Sequence, residues 1–196
     1  MSKAQDTRML ILQRASELIY KQGYQATSID EIIATTAVTK GALFYHFKNK
    51  EEMGLAIIHE IMHPGLIPYM SGSLDHPSGD IRKDLYEMMK DLLFKAPFVK
   101  VNYGCPAVNL IDEMAPLNVA FLAALKRIIQ EWQDAIEAAI IKAQEEGELN
   151  KSNDPKAVAT YITANYAGAR NMGKMFGSGA YGLFLKGFKK FVYDLK

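Results

Sequence analysis

Three clusters in the sequence combine residue types and spacings able to do chemistry. The first runs from Thr27 to Lys50. Thr39, Lys40, Gly41 and Ala42 set a hydroxyl, a cation and two small residues in succession; Tyr45, His46 and Lys50 follow with polar tips. Such a set suits phosphate oxygens and base edges. Cations and hydroxyls hold a nucleic-acid backbone, and small residues let a helix enter a major groove about 12 Å wide. The second cluster is His59-Glu60-Ile61-Met62-His63, a literal HExxH. On a helix its two His share a face and can bind zinc, with the Glu as general base. The extended zinc-protease pattern carries Gly three residues later, where this chain has Leu66, and only Asp75 and His76 are at hand as a third ligand. A zinc hydrolase using His59, Glu60 and His63 is therefore the alternative reading, and no metal site or cofactor is expected. The third cluster is Cys105, the sole cysteine, directly before Pro106. A thiol at a helix start is activated, which suits a sensor of oxidants or electrophiles aided by Lys174; a small buried packing residue is the other reading.

These residues need helices to position them. Ser28 with Glu31 three residues on is a capping box, so a helix starts there with Ile29, Ile32 and Ile33 apolar. Thr35 to Val38 is a turn. Thr39 caps a second short helix anchored by Leu43, Phe44 and Phe47. Two short helices around a tight turn, the second with a small polar leading end, describe a DNA-binding helix-turn-helix. A preceding helix from about residue 6 to 22, stopped by Gly23, completes a three-helix domain over residues 1–49.

The rest, 50–196, reads as further helices. Asn49 with Glu52 starts the fourth, and Pro64-Gly65 ends it. Residues 71–79 form a loop. Helices follow over about 80–95, from Pro106 to before Pro116, over about 117–146 to Gly147, from Asp154-Pro155 to about 176, and over about 181–195. The expected fold is all-α, with about nine helices.

The 196 residues carry a net charge of +1. Residues 1–50 hold seven Lys or Arg against four acids, so the basic excess lies with the proposed nucleic-acid part. No uninterrupted run of 18 apolar residues occurs, so no membrane span is expected. The opening MSKAQDTRML lacks the apolar core of a secretory signal, and a single cysteine suits a reducing cytoplasm.

Thr27, Ile32-Ile33, Val38-Thr39-Lys40-Gly41 and Leu43-Phe44-Tyr45-His46-Phe47, with Lys50, resemble the N-terminal domain of TetR-family (AcrR-like) bacterial regulators. The resemblance implies a homodimeric regulator, not an enzyme. It implies a double-stranded palindromic DNA operator and a small-molecule effector as partners. Thr27 and Ser28 are expected near phosphate, Thr39 to Ala42 at bases or the groove wall, and Tyr45, His46 and Lys50 on the backbone. Ala37 stands where the family usually has Gly, so a left-handed turn would be strained there. Phe44 replaces a frequent Tyr and loses its hydroxyl. Gly104-Cys105-Pro106 with Asn109 also resembles part of the C-terminal domain in some subfamilies.

Apolar helices with a few polar outliers point to a ligand site. Met89, Tyr103, Cys105, Asn109, Trp132, Tyr161, Asn165 and Arg170 are its candidates, beside further aromatic residues such as Phe98. The last two helices are too apolar for surface helices. Ala164, Gly168, Phe184, Phe188 and Phe191 are the expected dimer residues. The fourth helix starts at the DNA-binding unit and is expected to end at the ligand site, so a ligand that tilts it changes the spacing of the two recognition helices.

Overall fold

Side-chain caps set the helix starts. In a computed structural model, which describes residues 3–75, 77–97 and 99–196, Ser28 Oγ accepts from Glu31 N and the Glu31 carboxylate accepts from Ser28 N. Thr39 Oγ1 accepts from Ala42 N, Asn49 Oδ1 from Glu52 N, and Asp80 and Asp154 cap in the same way. The resulting elements are α1 (Lys3–Gln22), α2 (Ile29–Ala34), α3 (Lys40–His46), α4 (Lys50–Ile57), a π-turn (Ile58–Met62), α5 (His63–Met70), α6 (Gly72–Asp75), α7 (Ile81–Phe94), a 3₁₀ turn (Val101–Tyr103), α8 (Pro106–Met114), α9 (Val119–Glu145), α10 (Pro155–Phe176) and α11 (Gly179–Tyr193). No strand occurs among the described residues. His76 and Phe98 lie outside them.

Three expectations are corrected. The 71–79 stretch is not all loop, since α6 takes up Gly72–Asp75. Pro64 does not end the fourth helix, which continues to Met70. A proline ring clashes with the carbonyl four residues back in an α-helix. Here the preceding turn is π: His63 N donates to Ile58 O, five residues back, and the wider turn relieves that crowding. Nor is Ala37 strained. No non-glycine residue described has positive φ. The turn is closed by hydroxyls instead: Thr35 Oγ1 donates to Ile32 O, Thr36 Oγ1 donates to Ile33 O, and Thr36 Oγ1 accepts from Val38 N.

The chain divides into two compact units, 1–65 with 106–126, and 66–105 with 127–196. The first buries Ile11, Leu12 and Ala15 of α1 against Ile32, Leu43, Phe47, Met53 and Ile57. α8 and the start of α9 belong to it. Tyr24 and Phe121 pack with ring centroids 4.9 Å apart. A Cβ at Gly54 would lie 2.6 Å from Phe121 and 2.7 Å from Tyr24, so glycine is required there. The second unit buries Leu85, Met88, Met89 and Leu92 of α7 with Trp132, Ile136, Ile162, Tyr166, Arg170, Tyr181 and Leu185. Arg82 closes it, donating through Nη2 to Leu195 O at 2.7 Å and through Nη1 to Glu148 O at 3.4 Å.

Candidate nucleic-acid interface

α3 is anchored from below by Leu43 and Phe47, both buried, with the Arg8 guanidinium 4.4 Å from the Phe47 ring centre. This leaves its leading end and one side open. Thr39, Lys40 and Gly41 are exposed, and Tyr45 is 80% exposed. A Cβ at Gly41 would meet nothing within 4 Å. Nothing inside the chain requires glycine there, although glycine is a poor helix former. Lys40 Nζ lies 2.9 Å from Asp30 Oδ1 of α2, an exposed pair held loosely. Tyr45 and His46 rings meet edge-on at 5.1 Å.

Thr27 and Lys50 sit differently from the rest. Thr27 is fully buried and its hydroxyl donates to Gly23 O at 2.7 Å. Ser28 is exposed but engaged in the capping box. Backbone and side-chain bonds from Ser28 hold the Glu31 carboxyl below its usual range. Lys50 is half-buried: Nζ donates to Gln25 O at 3.3 Å and lies 4.4 Å from the Tyr24 ring centre. Partial burial lowers its pKa, while Glu113 and Glu31 pull the other way.

The predicted ligand residues separate into groups. Met89, Cys105, Trp132 and Arg170 are buried in the second unit, and Tyr103 belongs to the same unit. Trp132 Nε1 donates to Met88 Sδ at 3.4 Å and its ring meets Tyr166 edge-on. Arg170 Nε donates to Tyr166 Oη at 3.0 Å and Nη1 to Tyr181 Oη at 3.2 Å; its other donors reach Leu92 O and Leu93 O at the end of α7. Burial, followed by the neighbouring Cys105, pushes the Tyr166 phenol well above its ordinary pKa. Asn109 belongs to the first unit. Tyr161 and Asn165 stand elsewhere: Asn165 Nδ2 donates to Tyr161 O, and both line an open apolar groove of about 950 Å³ along α10 and α11. All five predicted dimer residues, Ala164, Gly168, Phe184, Phe188 and Phe191, line that groove.

The zinc-hydrolase reading of HExxH finds no support among the described residues. Glu60 pairs with Arg8, and no group of three or more His, Cys, Asp or Glu able to hold a metal is assembled among the described residues.

Comparison with known proteins decides the family. Residues 11–57 match the family described as bacterial regulatory proteins, tetR family, and residues 93–182 match the tetracyclin repressor-like C-terminal domain. The chain belongs to the TetR family. As a TetR-family chain it is a DNA-binding transcriptional regulator and not an enzyme. It is 32% identical over 154 residues to an uncharacterized HTH-type transcriptional regulator in the lacX 3′ region of Lactococcus lactis subsp. lactis, covering 79% of this chain and 77% of that one. It is 43% identical over 157 residues to the HTH-type transcriptional regulator AcrR of Shigella flexneri, covering 72% and 69%. A TetR transcriptional regulator from Chloroflexus aurantiacus shares the fold, with TM-score 0.90, 21% identity and coverage of 100% and 98%. No described helix is long and apolar enough to cross a membrane.

Two residues that support the interface carry no sequence signal. Asp30 meets Lys40 ten positions away. Glu113, which accepts from Tyr24 N and Gln25 N, is 89 and 88 positions from them.

Proposed function

We propose that this TetR-family regulator is a cytoplasmic homodimeric repressor that binds a palindromic operator and is released by a small, largely apolar effector or by modification of Cys105. The open α10–α11 groove is the observation that carries the reading. Its lining is apolar and small, and Leu183 and Phe176 on it are 73% and 71% exposed. A patch of this kind is costly to leave in water, and a two-fold copy of the same face covers it. The pairing would set two α3 helices about one DNA turn apart, roughly 34–36 Å.

In this reading residues 1–49 form the DNA-binding domain and 50–196 the effector and dimerisation part. Lys40, Gly41 and Ala42 approach bases, with Thr39 at the groove wall. Ser28, Tyr45, His46 and Lys50 hold phosphates. Thr27, being buried, supports the turn before α2. The effector contacts are drawn from Met89, Tyr103, Cys105, Trp132 and Arg170, while the placement of Tyr161 and Asn165 favours the dimer face. The effector acts by preferring the spacing that does not fit DNA, and its preference limits the response. The π-turn at 58–62, where the fourth helix departs from regular geometry, is a suitable place for that helix to bend.

Sedimentation at micromolar concentration tests the dimer, and a single subunit there overturns it. Selection of bound duplexes from a random pool at two salt concentrations tests the operator; a two-fold symmetric site is expected. Lys50→Ala is expected to weaken binding on all sequences alike and flatten the salt slope by about one unit. A changed sequence preference with an unchanged slope would remove the phosphate role.

A further inference from the structure

Glu113 is far from α3 in sequence but is held against the entry to the helix-turn-helix. Its two carboxylate oxygens accept from consecutive backbone donors, Tyr24 N at 2.9 Å and Gln25 N at 2.7 Å. Neither N–H serves a helix, so each needs a partner from outside the turn. The approach depends on Gly23. Its φ is +95°, a conformation side chains rarely adopt, and a Cβ there would crowd both oxygens at 3.3 Å. The same two residues engage Lys50: the Gln25 carbonyl accepts from Nζ, and the ammonium rests on the Tyr24 ring. A carboxylate thus holds the donors of the 24–25 backbone while an ammonium holds its acceptor and its ring. Tyr24 is in turn fixed by Phe121 and by the absence of a side chain at Gly54. Ser28, which caps α2, follows three residues after Gln25.

We propose that Glu113 is a positioning residue for DNA binding. It fixes the turn at 23–26 and, through that turn, the place of Lys50 and the start of α2. The inference rests on the DNA-binding reading of α2 and α3 and on the phosphate role given to Lys50.

The decisive experiment compares Glu113→Gln with wild type for affinity to the selected duplex and for its salt dependence. The sign of the effect discriminates. Removing a negative charge from a DNA-binding unit tightens binding on electrostatic grounds alone. Loss of positioning weakens it. Glu113→Gln keeps the size of the side chain but replaces one acceptor oxygen with a donor that faces a backbone N–H. We expect affinity to fall by about tenfold and the salt slope to flatten by about one unit. In a Lys50→Ala background the same change is expected to have a smaller effect than in wild type, because one of the two groups it positions is gone. Tighter or unchanged binding by Glu113→Gln, or full additivity with Lys50→Ala, overturns the proposal. Amide exchange of wild type needs no variant: protection at Tyr24 and Gln25 supports the clamp, and exchange at the rate of an open chain removes it. If wild type itself binds no duplex, it is the function that falls; if wild type binds and only Glu113→Gln is silent, the positioning role alone falls.

Discussion

Two of the ionised side chains that bond backbone groups, one in each unit, do so in opposite ways. In the first, Glu113 is an anion bonded to two N–H groups of a surface turn, with Lys50 close by. In the second, Arg170 is a cation without solvent contact, bonded to two carbonyls at the end of α7 and two phenols. The cation completes a core, and removing it strands buried acceptors. The carboxylate fixes a turn at the edge of a functional surface, where water can replace what is lost. The two differ in what water can do after a loss, and burial decides that difference.

That contrast can be broken by experiment. Arg170→Met should have the largest effect, about 3 kcal/mol of stability, since Tyr166, Tyr181 and the α7 carbonyls lose their donor in a dry site. A denaturant titration checks it, and a loss below 1 kcal/mol would mean that the cluster relaxes or admits water. Gly173→Ala comes next. Its Cβ would lie 2.3 Å from the Tyr181 ring, which bonds Arg170, so about 1–3 kcal/mol should be lost. Thermal melting reads this directly.

On the first unit, high pH should act through Tyr24. Burial, then Glu51 and Glu113, push its phenol up to about 12. A raised phenol pKa stabilises the fold fully below the ordinary value near 10. That contribution is lost as pH rises from there through about 12. Tyr24→Phe should flatten the alkaline limb of a stability–pH curve, and an unchanged limb would place the cause elsewhere. Gly41→Ala should have the smallest effect on folding, a gain of at most about 1 kcal/mol, because the added methyl meets open space and favours helix. Its DNA affinity should fall even so. A variant that is both more stable and a better binder would show that the room at Gly41 is not used.

The two glycines, Gly41 and Gly173, also mark what can be read without a structure. Both are glycines inside helices, and residue type does not separate them. Only the packing distinguishes one that Tyr181 demands from one that nothing in the chain demands. Gly168 resembles Gly41 in this respect and opens on the α10–α11 groove. The caps at Ser28, Thr39, Asn49 and Asp154 were legible because each joins groups two or three residues apart. Pro64 misleads because the π-turn that accommodates it leaves no mark in residue type.

Residue order alone is enough for the all-α fold, the helix-turn-helix positions and the apolar faces of the last two helices. Those properties depend on local propensity, capping and periodicity, which neighbouring residues settle among themselves. Packing is needed to learn that Thr27 is buried, that Lys50 lies on Tyr24, that Glu113 clamps the turn before α2, and that Arg170 donates to Leu92 O and Leu93 O. These depend on groups from 4 to 89 positions apart, most of them far apart in the chain. A polar side chain takes whichever partner folding brings within 3 Å or so, and residue types alone do not say which that will be.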